Sequence, residues 1–347
     1  MIANTNTGRN LLLCAVATGV SAAVASAQPA PAKPAPLVLT TSNTVPDDAV
    51  AGPAPIDKNG NFKIAAPYAN APEMTTKPNV PKGAISSFTM SSADSKMYPG
   101  LKGPYQRKVT VYVPAGYVAG TAAPFIVAQD AMQAGTIPRI LDNMINEKRV
   151  PAMVAIFIAN GGGDGQGSER GLEYDTVSGK YAEFVETEVL PLVEKNAKVT
   201  LTKDPDGRAT FGGSSGAAAA FTMAWFHPDL YRRVISYSGT FVNQQSPANP
   251  QTPHGAWEYH DHLINDAEKK PLRVWIEVGS RDNGATAPVT GFHNWVIANN
   301  QMAQVFKAKG YDYQYIFADN AGHVDGKVVS QTLPEALEWV WQGYKAK

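Results

Sequence analysis

Hydrophobic and polar positions change their pattern along this chain. Residues 84–90 and 107–113 alternate, apolar against polar, as antiparallel strands with one covered face do. Pro114 and Gly116 end the second of them. From residue 125 the alternation gives way to unbroken apolar runs at 125–128 and 153–158, and to 274–278, interrupted only by Glu277. Such runs suit strands covered on both faces. Shorter strands are expected at 207–211 and 313–317. Between these strands, residues 137–148, 181–195, 215–226, 295–309 and 333–344 carry helical spacing. Strands alternating with helices predict an α/β domain, its central sheet mostly parallel with helices on both faces and two antiparallel strands leading in.

The N-terminal pattern is different again. Arg9 precedes an apolar stretch over 11–24, and Ala25-Ser26-Ala27 has the form of a cleavage site. Residues 1–27 therefore read as a signal peptide cleaved near Ala27, with a periplasmic or secreted product and no membrane association afterwards. The stretch is short and diluted for a bilayer-spanning helix. Residues 28–60 are rich in Pro, Ala, Thr and Ser, which predicts a flexible leader. One α/β domain is expected over 61–347. Cys14, the single cysteine, falls in the segment to be removed, which excludes disulfides and cysteine nucleophiles from the mature chain. The formal net charge is zero, so nothing points to nucleic acid as a partner.

Chemistry concentrates at Gly212-Gly213-Ser214-Ser215-Gly216, a G-x-S-x-G motif between an expected strand and an expected small-residue helix. In that context it is a nucleophile elbow, with Ser214 as the nucleophile. Ser215 is a rival, but centring on it breaks the five-residue pattern. A serine hydroxyl needs a base, and the base needs an acid to fix its tautomer. The two antiparallel strands and the parallel sheet form the plan of an α/β-hydrolase, where the chain order is Ser, acid, His. Asp282 follows the strand at 274–278 and His323 follows the strand at 313–317. Asp319 is a rival acid. The oxyanion hole is expected from the N–H of Ser215 and a second N–H in the loop 129–131, assigned to Ala131, with Asp130 either lining the site or capping the next segment.

His254, His260 and His262 lie in a turn-rich stretch, 244–266, expected to cover the substrate. Their spacing matches no tight metal-ligand pattern, so no metal is assigned and no cofactor is called for. Trp257, Tyr259 and His260, with Asp130, are candidate substrate contacts; a solvated loop is the alternative reading for the first three. Arg170 and Glu173 are candidates for a buried pair near the site.

Several stretches resemble the putative-esterase family, which includes enterochelin-esterase-like proteins, esterase D and feruloyl esterases. They include Glu173 to Val177, Asp204 to Ala209 leading into the elbow, Lys270 to Val274, Asn299 to Ala303, Gly322-His323 and Leu333 to Trp341. The stretch Asp204 to Ala209 leading into the elbow is more similar still to the enterochelin-esterase-like branch. The chain departs from that pattern at Ala217, where relatives often carry a second glycine, and in the loop Val324-Asp325-Gly326 after the histidine, which usually holds more glycine and polar residues. The resemblance implies Ser214, Asp282 and His323 as the triad of an exported serine esterase. It implies small-molecule or oligosaccharide-linked esters as substrates, siderophore and hydroxycinnamoyl esters among them. Acyl transfer on the same scaffold and a non-catalytic carbohydrate- or ligand-binding protein remain as alternatives. Oligomeric state is not legible.

Overall fold

A computed structural model describes residues 37–345. The expected signal peptide and the first part of the leader lie outside the described residues. In chain order the strands are β1 Val50–Ala51, β2 Gly60–Ala65, β3 Ala84–Ser91, β4 Gln106–Val113, β5 Ala122–Ala123, β6 Phe125–Gln129, β7 Val154–Ile158, β8 Thr200–Leu201, β9 Arg208–Gly213, β10 Arg233–Tyr237, β11 Arg273–Gly279 and β12 Asp312–Asp319. The helices are α1 Ile137–Asn146, α2 Glu169–Tyr174, α3 Lys180–Phe184, α4 Leu190–Ala197, α5 Ser215–Phe226, α6 Ile264–Asp266, α7 Trp295–Ala308 and α8 Gly326–Val340.

Among the described residues one ten-stranded sheet runs β1-β2-β12-β11-β10-β9-β6-β7-β4-β3. Every pairing in it is parallel except β4 with β7 and β3 with β4. The fold is therefore α/β, with a mostly parallel sheet and antiparallel strands at one edge. Each central strand divides its side chains between two cores. Phe125 and Val127 pack with α4, α5 and α7 on one face, while Ile126 and Ala128 pack with α1 and α8 on the other. That double coverage is why these strands read as unbroken apolar runs. The register aligns Gly213, Tyr237, Glu277 and Ile316 across β9, β10, β11 and β12, so the chain leaves all four strands along one edge.

The sequence reading did not include β1, β2, β5, β8, α2 or α6, and four further differences have a physical reason. β10 was not expected: its Arg233 lends it the look of a surface segment, but that guanidinium is capped by the carbonyls of Asp206 and Gln342. α8 begins at Gly326, not at 333, and carries Pro334 inside it. Proline lacks the N–H that would bond to Ser330 four residues back. The freed Ser330 carbonyl accepts the Ala71 N–H at 3.0 Å instead. The stretch 254–266 is helical and largely buried, not a run of turns.

The fourth difference lies in the leader. From Leu37 on, the part within the described residues lies along α7. Asn300 donates to the carbonyls of Ser42 and Thr44, Gln301 to Thr40 and Gln304 to Val38, all at 2.7–2.9 Å. Leu37, Leu39 and Val45 pack on the same core. A stretch that reads as a flexible leader is held here because its main-chain carbonyls accept from a row of side-chain amides on α7.

Candidate active site

β9, β11 and β12 end along one edge of the sheet, with β10 between β9 and β11, and one residue of interest follows each. Ser214 comes directly after β9 with φ 58° and ψ −130°, a conformation non-glycine residues rarely adopt. Hydrogen bonds on both sides pin it. Its N–H donates to the Tyr237 carbonyl at 2.9 Å, and its carbonyl accepts from Ala217 at 3.0 Å and from Thr240 at 3.2 Å. The turn is this sharp because β9 and α5 touch: a Cβ on Gly212 would lie 2.2 Å from the Gly216 carbonyl oxygen.

His323 Nε2 lies 2.9 Å from Ser214 Oγ, and His323 Nδ1 lies 2.5 Å from Asp282 Oδ1. The Asp282 side chain is fully buried and the imidazole partly exposed. A carboxylate only accepts, so Nδ1 carries the hydrogen and Nε2 is left as the acceptor for the Ser214 hydroxyl. Asp319, the rival acid, faces elsewhere: its carboxylate lies 3.4 Å from Ser280 Oγ and 3.7 Å from Lys63 Nζ. Glu277 in β11 is fully buried; burial first, and then the charge of Asp282, pushes its carboxyl well above the usual carboxylate range.

Ser215 opens α5, where its N–H has no intrahelical acceptor and the positive end of the helix dipole is aimed outward. Its hydroxyl, the rival nucleophile, is buried and receives the Gln244 amide at 3.2 Å. The same amide donates to Asp175 at 3.1 Å, and burial raises the Asp175 carboxyl to about 6.

The loop after β6 departs from expectation. The Ala131 N–H donates to the Ile158 carbonyl at 2.9 Å, so it is not free for an oxyanion. The Asp130 N–H is likewise engaged by the Tyr174 hydroxyl at 3.0 Å. The Asp130 carboxylate is held in a two-pronged pair with Arg170, 2.8 Å at its closest, and accepts from Asn160 at 2.6 Å. Arg170 thus pairs with Asp130 and not with Glu173, which instead forms a buried pair with Arg107 at 2.5 Å.

The aromatic candidates belong to the core. Tyr259 has no exposed surface and its hydroxyl bonds Thr222 at 2.8 Å. His260 is equally buried, 3.0 Å from the Phe241 carbonyl, and burial pushes its pKa down to about 3. Trp257 stacks edge-on with His260 and Phe292. None of the three is presented to a substrate as expected. His254 and His262 each contact the buried Glu258 carboxylate, at 3.0 and 3.1 Å. Among the described residues, Glu258, Asp261 and His262 are close enough to share a cation.

One side chain with no part in the site as read from the sequence reaches the nucleophile, and a second stands behind it. Thr240 Oγ1 lies 3.4 Å from Ser214 Oγ, and the Trp295 indole nitrogen lies 3.2 Å from Thr240 Oγ1. The Trp295 ring stands edge-on to His323 at 6.0 Å. The available signal was β10: once that strand is seen, Ser238-Gly239-Thr240 becomes another loop at the same sheet edge.

A family model described as putative esterase matches residues 104–339. Among solved structures, the enterobactin esterase FES from Shigella flexneri in the presence of enterobactin is similar, with 18% identity and a TM-score of 0.55 over 77% of this chain and 62% of that one. This chain thus spans under two thirds of that protein's length. The ferulic acid esterase AmCE1/Fae1A from Anaeromyces mucronatus, in complex with ferulic acid, shares 16% identity with a TM-score of 0.56, over 88% of this chain and 98% of that one. Identities this low speak to the fold alone. No curated protein matches the chain in sequence.

Proposed function

Because the chain belongs to the putative-esterase family, we propose that it hydrolyses carboxylic esters, with Ser214 as nucleophile, His323 as general base and Asp282 as the acid that orients it. The observation that carries this reading is the unbroken line from Ser214 Oγ to His323 Nε2 and from His323 Nδ1 to Asp282, seated on a strained elbow. Ser214 Oγ attacks the ester carbonyl carbon as its proton passes to His323 Nε2. Asp282 stabilises the imidazolium. The oxyanion is held by the Ser215 N–H with the field of α5 behind it; one such donor contributes about 3 kcal/mol. His323 then protonates the departing alcohol. Water attacks the acyl-enzyme by the same path, and the proton returns to Ser214 as the acid leaves.

We assign the substrate to small-molecule or sugar-linked esters, with siderophore and hydroxycinnamoyl esters first to be tried. The fold's likeness to structures solved with enterobactin and with ferulic acid supports that choice. Residues 1–27 are proposed to direct export. No helix among the described residues is long and apolar enough to cross a membrane. N-terminal sequencing of the exported protein is expected to begin near Gln28.

The test is hydrolysis of a p-nitrophenyl ester series and methyl ferulate by the full chain beside Ser214→Ala. Activity lost in the variant supports the assignment. Equal activity in both proteins removes Ser214 from the mechanism.

A further inference from the structure

Thr240 and Trp295 are both buried against the site, 1% and 5% exposed. The directions of their hydrogen bonds follow from what each group can do. An indole nitrogen only donates, so Thr240 Oγ1 is the acceptor at 3.2 Å from Trp295. The Ser214 hydroxyl has one hydrogen, and the acceptor on His323 Nε2 takes it. The contact between Thr240 and Ser214 then has a single hydrogen left to fill it, that of Thr240. The hydrogen bonds run in one direction: Trp295 to Thr240, Thr240 to Ser214, Ser214 to His323.

We propose that Thr240 is a further catalytic residue, whose hydroxyl donates a hydrogen bond to Ser214 Oγ, and that Trp295 is the positioning residue that aims and polarises it. The proposal rests on the reading of Ser214 as nucleophile. At 3.4 Å the contact is long for a resting hydrogen bond. Its acceptor gains charge during the reaction, however, and catalytic contacts tighten as that happens. In the first half, Ser214 Oγ gives its proton to His323 while the bond to the carbonyl carbon forms. In the second half the tetrahedral adduct of water collapses. The carbon–Oγ bond breaks, its electron pair goes to Oγ, and His323 returns the proton there. Thr240 transfers no proton at either stage; it stabilises Oγ while the oxygen carries partial negative charge. Trp295 is well placed for the supporting task. Its N–H reaches Thr240, its ring edge meets the His323 imidazole, and its backbone N–H donates to the carbonyl of Asn283, next to Asp282, at 3.1 Å.

The experiment compares steady-state and burst kinetics on p-nitrophenyl butyrate for the full chain, Ser214→Ala, Thr240→Ser, Trp295→Phe and the double variant Thr240→Val/Trp295→Phe. Thr240→Val alone would strand a buried indole N–H and cost stability; the double variant removes that N–H as well. Adding Thr240→Val to Trp295→Phe is expected to lower kcat by about tenfold to a hundredfold, the range of one hydrogen bond to a charged acceptor. The acyl-enzyme should accumulate as a burst, and Thr240→Ser should stay near wild type. A purely structural Thr240 would lower the melting temperature and leave kcat and the burst unchanged in the double variant relative to Trp295→Phe, and that result overturns the proposal. Activity that survives Ser214→Ala overturns the esterase mechanism itself, a distinguishable failure.

Discussion

Asp282 stands just past the end of β11 and Asp319 is the last residue of the neighbouring β12, and only Asp282 meets the imidazole. Its proposed role makes a sharp prediction. Asp282→Asn should fold normally but lose about 10⁴-fold in kcat, because an amide can donate to Nδ1 and hold the wrong tautomer. Turnover of a p-nitrophenyl ester, with circular dichroism as the folding control, checks this. His260 makes a prediction about stability. Buried and neutral, it is pushed down to about 3, whereas in the unfolded chain a histidine titrates near 6.5. Its contribution is complete above about pH 6.5 and is lost as pH falls toward 3, because unfolding then takes up a proton. The loss is about 1.4 kcal/mol per pH unit. Urea titrations at pH 6.5 and 4.5 should show the wild type losing about 2–3 kcal/mol more than His260→Gln, which can still donate to Phe241.

At the scale of elements, the elbow is the part most tightly constrained by packing. A methyl on Gly212 would meet the Gly216 carbonyl oxygen at 2.2 Å and its carbon at 2.3 Å, and neither backbone atom can rotate away. Gly212→Ala should therefore separate β9 from α5. We expect a loss of about 3 kcal/mol or more in a urea titration, at the upper end for overpacking, together with loss of esterase activity. The sequence made the elbow legible because its parts are covalent neighbours. It left β10 hidden, since Arg233 reads as surface until the carbonyls that cap it are in place. It also set the start of α8 too late, at Leu333 beside Pro334, because the partner that tolerates a mid-helix proline is Ala71, far away in sequence.

For the whole molecule, the segment from Leu37 to Asp48 ties the N-terminal side of the domain to α7. Besides the amide ladder, Asn43 donates to the Ala285 carbonyl at 2.6 Å, and Asp48 pairs with Lys307 at 2.6 Å. Deleting residues 28–48 should lower the melting temperature by several degrees, at about 2–4 °C per kcal/mol for a chain of this size. A scan with unchanged midpoint would show the strap to be dispensable. Sequence alone determined the alternation of strands and helices, the double coverage of the central sheet and the elbow around Ser214, because each depends on residues close along the chain. Only the tertiary structure decided which acid faces His323, that Ala131 spends its N–H on Ile158, that Tyr259 and His260 are core, and that Thr240 stands beside Ser214 with Trp295 behind it. Those outcomes depend on which loops the parallel strands bring to one edge. They also depend on which polar groups find partners there, and neither is encoded in any single stretch of chain.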